Sequence, residues 1–264
     1  MKENRFRKVV QSGGVPVGHL IWEFGTRGIA KIVETADLDF VMIDMEHSAF
    51  DQAQIADLLA WFKATTIAPF VRVPQNLYHF IARTMDAGAL GIMVANVESG
   101  EQAKAVVNAV RFAPLGFRGV GLGTSHTDYK SPVPATYFRH ANEQSTVICM
   151  IESPAGLANL DAIASTPGVD VLWVGHFDLT QSMGIPGEFE RREFLDALRS
   201  VVSAAKRHGK AAGINPTNAD QAQQWLELGF NVISWGSDSG IFRDALAAGV
   251  SEIRRAVAST TQLM

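Results

Sequence analysis

A small set of charged residues follows short apolar segments, at positions that packing alone does not explain. Glu152 and Asp178 each end such a segment, as do Arg72 and the pair Asp44 and His47. Two carboxylates can hold one divalent cation, because magnesium is commonly bound by one or two carboxylates together with water and substrate oxygens. An arginine can stabilise a keto oxygen that becomes an enolate oxygen. These residue types together indicate metal-assisted enolate chemistry on a 2-keto acid.

Each residue of this set has a predicted role. Glu152 and Asp178 are expected to hold the cation, Arg72 to stabilise the enolate, and His47 to transfer protons with Asp44 orienting it. The base that takes the substrate proton stays open between His47 and a water activated by the metal. A structural alternative stays open too, since acids favour the first turns of helices and an arginine or a histidine can simply form an ion pair. The following Glu46 could either orient water or form a salt bridge in its loop.

Eight short apolar segments recur along the chain and are predicted to be strands. Their hydropathy is continuous rather than alternating, which is typical of strands buried on both faces. Between them, Asp51 with Gln54 and Ser99 with Gln102 resemble the capping boxes that begin helices. The predicted strands span 17–22, 40–44, 68–72, 91–95, 147–151, 171–175, 211–214 and 231–235.

This alternation predicts an α/β fold, a single (β/α)8 TIM barrel over residues 1–264. In such a barrel the catalytic groups lie at the mouth, where the strands end. Trp22 ends the first predicted strand and is expected to contact the substrate, and the last two strands lead to Asn215 and Asp238. The stretch 112–144 is rich in glycine and proline, so we expect an irregular loop with one short helix near 135–141.

Composition excludes several classes of function. The chain has 23 basic and 27 acidic residues, a net charge of −4 and no basic stripe, so nucleic acid is not an expected partner. Its single cysteine, Cys149, excludes an intramolecular disulfide framework. The sequence shows neither a signal peptide nor an apolar run of about 18 residues. We therefore expect a cytoplasmic protein that does not bind membranes.

Six sequence blocks, in this order, resemble those of the HpcH/HpaI aldolase family and cover roughly residues 15–240. They are IDMEH from Ile43, VRVP from Val71, MDAG from Met85, RFAPLGFRGVG from Arg111, MIES from Met150 and GHFDLT from Gly175.

This resemblance implies a class II aldolase, a carbon–carbon lyase that cleaves or forms 4-hydroxy-2-keto acids. The reaction would pass through a pyruvate- or hydroxypyruvate-type enolate with an aldehyde as the second substrate, as in aromatic compound catabolism. Similar enzymes use magnesium, manganese or cobalt and no Schiff-base lysine. By motif match, Glu152 and Asp178 are metal ligands, Arg72 stabilises the enolate and His47 acts in acid–base chemistry. The backbone amides from Gly175 to Asp178, around Phe177, would receive the substrate carboxylate.

The resemblance also implies assembly. Similar enzymes are often hexamers, trimers of dimers with exchanged C-terminal helices, which makes the segment after Asp238 a candidate for exchange. Asp86 matches a position that pairs with the active-site histidine, here His47. Because Asp86 ends a helix at the bottom of the predicted barrel, it is expected to reach the His47 of a neighbouring subunit.

Two departures from the family pattern affect the pocket. Met150 stands where glutamine is more common, and His176 and Phe177 replace a common Pro-Ala pair. The larger side chains narrow the pocket, so a long dicarboxylic acceptor is not expected to fit. Two alternatives remain open: an enzyme similar to citrate lyase β or malyl-CoA lyase, and a barrel that binds keto acids without catalysis.

Overall fold

Eight parallel strands close into a barrel in chain order, in a computed structural model that describes residues 1–261. The closing pair joins the last strand to the first. The predicted barrel is confirmed, and each predicted strand end lies within two residues of an observed end. The strands are β1 (Val17–Ile21), β2 (Phe40–Asp44), β3 (Ala68–Val73), β4 (Gly91–Val94), β5 (Thr146–Ile151), β6 (Val171–Val174), β7 (Ala211–Ile214) and β8 (Val232–Ser237).

The helices form the outer layer, apart from the first, which precedes β1, and the last, which extends away from the barrel. They are α1 (Arg5–Gln11), α2 (Ile29–Glu34), α3 (Gln52–Phe62), α4 (Tyr78–Ala87), α5 (Gly100–Val110), α6 (Pro134–Gln144), α7 (Pro154–Ala158), α8 (Leu160–Ala164), α9 (His176–Ser182), α10 (Arg192–Arg207), α11 (Ala219–Leu228) and α12 (Asp238–Thr261). None of the helices within residues 1–261 is long and apolar enough to cross a membrane.

Side-chain caps explain where two of these helices begin. At α3 the capping box predicted for Asp51 and Gln54 is present in full. At α5 the Ser99 side chain accepts the N–H of Gln102, as predicted. A capping box also requires the Gln102 side chain to accept the N–H of Ser99, and this part of the prediction was wrong. The Gln102 side chain instead accepts the N–H of Glu98, one residue before the cap. Both helices nevertheless begin at the predicted residue.

The barrel interior is filled by large side chains that lie over glycines of the neighbouring strands. Side chains alternate in direction along a strand, so every second residue points inward. Phe40 packs over Gly18, where a Cβ would lie 2.3 Å from its ring, and Trp173 packs over Gly213 in the same way. Phe6 of α1 closes the bottom, with its ring 5.4 Å from that of Phe40.

The same alternation continues upward from this layer to the mouth. Met42 lies two residues above Phe40, and Asp44 lies two residues above Met42. On β5 the corresponding series leads through Met150 to Glu152. The inward positions thus change from aromatic to methionine to charged on β2, and from aliphatic to methionine to charged on β5, which places the charged residues at the carboxyl ends of these strands.

Helix α12 differs from the other helices because it extends away from the barrel. It packs against β1 and β8 near its start, where Phe242 contacts Phe24 edge-on at 5.6 Å. Residues 241–260 are all exposed. Leu246, Val250 and Ile253 lie on one face at helical spacing, with 53%, 49% and 66% of their surface exposed. This apolar face is not buried by the barrel from which it emerges.

Candidate active site

A cavity of about 600 Å³ opens at the carboxyl ends of the strands. Residues of the predicted site line it together with side chains from β1, the segment after β7, β8 and the start of α12. The predicted residues on its surface are Trp22, His47, Arg72, Gly175, Phe177 and Asp178. The barrel therefore brings together residues from distant parts of the sequence, as the strand-end positions predicted.

Arg72 is held at the mouth by a bidentate pair with Asp44. Its Nε donates to Asp44 Oδ1 at 2.8 Å and its Nη2 donates to Oδ2 at 2.6 Å. Asp44 is fully buried, and the two residues are register partners on β2 and β3. Burial alone would lower the pKa of Arg72, but the bonds and charge of Asp44 and the charge of Glu46 outweigh it and raise this pKa. The guanidinium is thus a fixed positive charge at the cavity wall.

No hydrogen bond within the described residues joins Asp44 to the imidazole of His47, so the predicted role of Asp44 in orienting that ring stays a prediction. The Asp44 carboxylate accepts the backbone N–H groups of Glu46 at 2.9 Å and of His47 at 3.3 Å, and its remaining bonds go to Arg72. The physical reason is register, because Asp44 and Arg72 point inward at the same level of adjacent strands. Asp44 therefore fixes Arg72 and the loop that carries His47, and it does not bond the imidazole.

His47 lies at the edge of the cavity with about half of its side chain in solvent. The exposed fraction is 53%, and Nε2 lies 3.8 Å from Glu46 Oε2. Glu46 Oε2 also lies 3.2 Å from Arg72 Nη1. Of the two roles open for Glu46, the structure therefore shows the loop ion pair. An exposed imidazole beside a carboxylate is suited to exchange protons with a substrate hydroxyl.

Glu152 is buried at the end of β5 and its carboxylate is fixed on both sides. Oε1 accepts the N–H of Asn96 at 2.6 Å. Oε2 occupies space that a side chain at position 175 would fill, since a Cβ on Gly175 would lie 2.3 Å away. Burial, followed by the charge of Glu46, raises the pKa of Glu152 to about 7, and Asp178 contributes in the same direction. Negative charge is therefore concentrated here without full compensation.

This concentration of carboxylates fits a hard divalent cation. Asp178 lies exposed in the first turn of α9, close enough to raise the pKa of both Glu152 and Glu46. Within residues 1–261 no three His, Cys, Asp or Glu side chains form a ready-made metal cluster. Two oxygen donors are sufficient for a cation that completes its shell with water and substrate oxygens. A bound cation would also reverse the elevated pKa of Glu152.

Trp22 is fixed on the cavity wall by the start of α12. Asp238 accepts the consecutive backbone N–H groups of Trp22, Glu23 and Phe24 at 3.4, 3.0 and 2.7 Å. The indole Nε1 of Trp22 donates to Ser239 Oγ at 2.7 Å. The loop after β1 is thus bound to α12, which keeps the indole beside the cavity.

Asp86 lies away from the cavity, at the C-terminal end of α4. Its Oδ1 accepts from Arg118 Nη2 at 2.5 Å, and His126 Nε2 lies 3.8 Å away. Among the contacts within residues 1–261, none joins Asp86 to the His47 of the same chain. This placement agrees with the expectation that one barrel does not bring the two residues together, and the pairing between subunits stays a prediction.

Two further polar residues line the cavity: Ser234, which the sequence analysis missed, and Asn215, which it named only as the residue after the seventh strand. Ser234 lies inside an apolar strand, and Asn215 directly follows β7. The available signal for Ser234 was its inward position on β8, two residues after the core residue Val232. This signal becomes usable only when the register of the strand is known.

His176 is buried beneath the cavity and packs against aromatic rings. It lies 4.6 Å from Phe177, 5.2 Å from Phe189 and 5.5 Å from Trp225, measured between ring centroids. Burial lowers the pKa of His176 to about 4. Its imidazole is therefore neutral near pH 7. Phe177 itself is 58% exposed and forms part of the cavity surface.

Comparison with known proteins agrees with this geometry. The chain matches the HpcH/HpaI aldolase/citrate lyase family over residues 24–245. It is 34% identical over 244 residues to the 5-keto-4-deoxy-D-glucarate aldolase of Shigella boydii serotype 18, covering 92% of this chain and 93% of that protein.

Solved structures of the same family share the whole fold. The HpcH/HpaI aldolase from Desulfitobacterium hafniense DCB-2 superposes with a TM-score of 0.89 at 28% identity, covering 94% of this chain and 96% of that one. An HpcH/HpaI aldolase/citrate lyase family protein from Burkholderia cenocepacia J2315 superposes with a TM-score of 0.88 at 30% identity. The match covers 95% of this chain and 99% of that one. The chain thus belongs to the HpcH/HpaI aldolase/citrate lyase family, and it is a class II aldolase, a lyase that acts on carbon–carbon bonds.

Proposed function

We propose that this aldolase cleaves or forms 4-hydroxy-2-keto acids through the enolate of pyruvate or hydroxypyruvate. The observation that carries the proposal is the fixed guanidinium of Arg72 facing a cavity beside the carboxylates of Glu152 and Asp178. In cleavage, the 4-hydroxyl loses its proton, the C3–C4 bond breaks and C4 leaves as an aldehyde. The electron pair of that bond becomes the enolate, which then takes a proton at C3.

Glu152 and Asp178 are the residues that would hold the divalent cation, whether magnesium, manganese or cobalt. When bound, such a cation polarises the keto group of the substrate and offsets the negative charge of the enolate. Arg72 directs its own positive charge at the same oxygen, and Asp44 keeps it there without movement during the reaction. By the family resemblance, the backbone N–H groups from Gly175 to Asp178 bind the substrate carboxylate.

His47 is suited to the aldehyde side of the reaction. It lies exposed on the cavity surface, and its Nε2 lies 3.8 Å from Glu46 Oε2. In cleavage it would accept the proton of the 4-hydroxyl, and in synthesis it would return that proton. Asp86 of a neighbouring subunit would pair with this imidazole and stabilise its protonated form.

A rival activity on CoA thioesters receives less support from the cavity. Binding the phosphates of CoA calls for exposed basic residues at the mouth. The arginines that line the cavity are Arg72, which is bound to Asp44, and Arg243, which pairs with Asp244 at 2.8 Å. One buried arginine and one exposed arginine beside a carboxylate do not form a cluster of cations for the CoA phosphates among the described lining residues, so we favour a small aldehyde over a CoA ester.

The activity can be tested by pyruvate release from a synthetic 4-hydroxy-2-keto acid. After treatment with a chelator the rate should fall to background, and magnesium, manganese or cobalt should restore it. A barrel that only binds keto acids would bind pyruvate and release none from the longer substrate, which would contradict the proposal.

Assembly is expected to complete the site. The face of α12 formed by Leu246, Val250 and Ile253 is apolar and exposed, and such a face is stabilised when a second subunit covers it. We propose that α12 packs on a neighbouring barrel, as in a hexamer built from dimers. Separately from this contact, the assembly would place Asp86 of one subunit beside His47 of the next.

Replacing Leu246 and Val250 together by glutamate is expected to give smaller oligomers and to lower aldol cleavage at least about tenfold. Burying two charges at an apolar interface is unfavourable. Light scattering after size-exclusion chromatography and the pyruvate-release assay would measure both effects. Ile32→Glu on α2 is the matched control. Ile32 is an apolar residue with 64% of its surface exposed, and it lies outside the apolar face of α12. A fully active monomer would contradict the proposal.

A further inference from the structure

A second cavity, of about 770 Å³, lies at the end of the barrel opposite the catalytic mouth. Its walls come from α1, the segment after α5, the helix α6 and the turn before β6. Each helix of the barrel leads back to the start of the next strand, so the ends of α5 and α6 lie beside the amino ends of the strands. Among the residues that the structure describes, this lower cleft and the cavity at the mouth share none.

Three arginines line the lower cleft. Arg7 Nη1 and Arg111 Nη2 share the carboxylate of Asp170, at 2.9 and 2.7 Å. Arg139 is exposed on α6 and forms no ion pair within 4.0 Å among residues 1–261. Glu143 also lines the cleft, one turn further along α6, and it is not paired with Arg139 in this part of the chain. Three positive charges are thus met by two negative ones.

The arginines that share Asp170 have more donors than the protein uses. An arginine carries five N–H donors. Arg7 Nη1 donates to Ser145 O and to Asp170, while its Nε is buried without a partner within residues 1–261. Burial lowers the pKa of Arg111, and the charge of Arg7 acts in the same direction against the opposing charge of Asp170. A further anion near this pair would offset the repulsion between the two guanidinium groups.

The rest of the lower cleft is apolar. Pro114, Leu115, Phe138 and Pro167 line it. The Phe138 ring stacks on the buried Phe112 ring at 4.5 Å, which holds it in place, and Leu115 is 60% exposed. Apolar walls with a few convergent polar groups, in a volume of several hundred Å³, are typical of sites for small molecules.

We propose that the lower cleft binds a small organic anion with a carboxylate or phosphate head and an apolar body. The head would bind the guanidinium groups of Arg7, Arg111 and Arg139, and the body would pack against Leu115 and Phe138. An inorganic anion lacks the apolar part and a neutral apolar molecule lacks the charge, so each alone should bind more weakly. This inference goes beyond the proposed aldolase function and does not depend on it.

Calorimetric titration of the assembled, magnesium-loaded protein tests the proposal. Phenyl phosphate or benzoate is expected to bind at least about tenfold more tightly than inorganic phosphate or benzyl alcohol, and the tighter of the two assigns the head group. Arg139→Ala should raise the Kd of that probe about tenfold, the effect of losing one hydrogen bond to a charged group. Leu115→Ser should raise it about threefold and leave the binding of inorganic phosphate unchanged.

Two further variants show where the probe binds. Arg83→Ala is the matched control, because Arg83 is an exposed arginine of α4 outside both cavities, and it should leave the Kd unchanged. Arg72→Lys alters only the mouth and should also leave it unchanged. Weaker binding in Arg72→Lys with none in Arg139→Ala would place the probe at the mouth and overturn the proposal.

The remaining outcomes are equally decisive. Equal losses in Arg83→Ala and Arg139→Ala would overturn the site, because they would show a general effect of charge. Absence of binding to the unaltered assembly would overturn it as well. Pyruvate release at the unaltered rate in Arg139→Ala would show that the variant is folded and assembled. Failure of the unaltered protein to release pyruvate would count against the proposed aldolase function and not against the lower cleft.

Discussion

Replacing Glu152 by glutamine, or Asp178 by asparagine, is expected to lower aldol cleavage at least about a thousandfold while the barrel stays folded. Each change removes one of two carboxylates and so removes charge and coordination geometry together. Pyruvate release would measure activity, and the rise of Tm on adding metal would measure binding, since a cation that binds only the folded protein stabilises it. Glu101→Gln on the exposed face of α5 is the control.

The melting temperature measured in the presence of chelator provides a second, independent test of the metal assignment. Burial and neighbouring carboxylates raise the pKa of Glu152 to about 7, above its value in the unfolded chain. A carboxyl with a raised folded-state pKa costs stability once the pH exceeds its unfolded pKa, and the full cost is reached above the folded pKa. At pH 8 without metal, Glu152→Gln should therefore melt no lower than the unaltered protein. Full activity of either variant in chelator would contradict the metal assignment.

Replacing Arg72 by alanine is expected to lower kcat/KM by about a hundred- to a thousandfold, the effect of removing a group aimed at developing negative charge. The change should also destabilise the fold by about 3–5 kcal/mol, because it leaves the buried Asp44 carboxylate without its partner. Arg72→Lys keeps the charge but loses the planar fork that binds both oxygens of Asp44, so it should restore activity only in part.

A double variant separates the catalytic effect of Arg72 from the structural one. Arg72→Met with Asp44→Leu removes both charges of the bidentate pair, so urea unfolding should recover much of the stability that Arg72→Ala loses. Recovery should stay incomplete, because Glu46 loses its contact with Arg72 and the N–H groups of Glu46 and His47 lose the Asp44 carboxylate. Activity should stay at the level of Arg72→Ala. If the double variant recovered activity together with stability, Arg72 would be a structural residue only.

The sequence predicted the barrel because its signals are local. The strand at 40–44 is a continuous apolar run that ends in a carboxylate, and the capping box at Asp51 marks the next helix. Such features require no knowledge of the tertiary fold. The closure of the strands then follows from their number and order, and it brings Arg72, Glu152 and Asp178 to one mouth.

Side-chain partners could not be predicted in the same way. Asp44 bonds Arg72 and not the imidazole of His47, since the register of β2 against β3 decides which inward residues are neighbours. Ser234 was missed for the same reason. A single hydroxyl in an apolar strand does not indicate a site until it is known whether the side chain faces the barrel interior or the helices. Both cases depend on pairings between segments that lie far apart in the sequence.

The central claim is that this site forms the enolate of pyruvate, and proton exchange tests it most directly. Pyruvate in deuterium oxide, with metal-loaded oligomeric protein and no aldehyde, should lose its methyl signal in the NMR spectrum. The exchange should require magnesium, manganese or cobalt and should be strongly slowed by Arg72→Ala. If His47 serves the aldehyde side, as proposed, His47→Ala should reduce exchange much less than it reduces aldol cleavage. A methyl signal that persists in folded, metal-loaded protein at its native assembly would contradict the account.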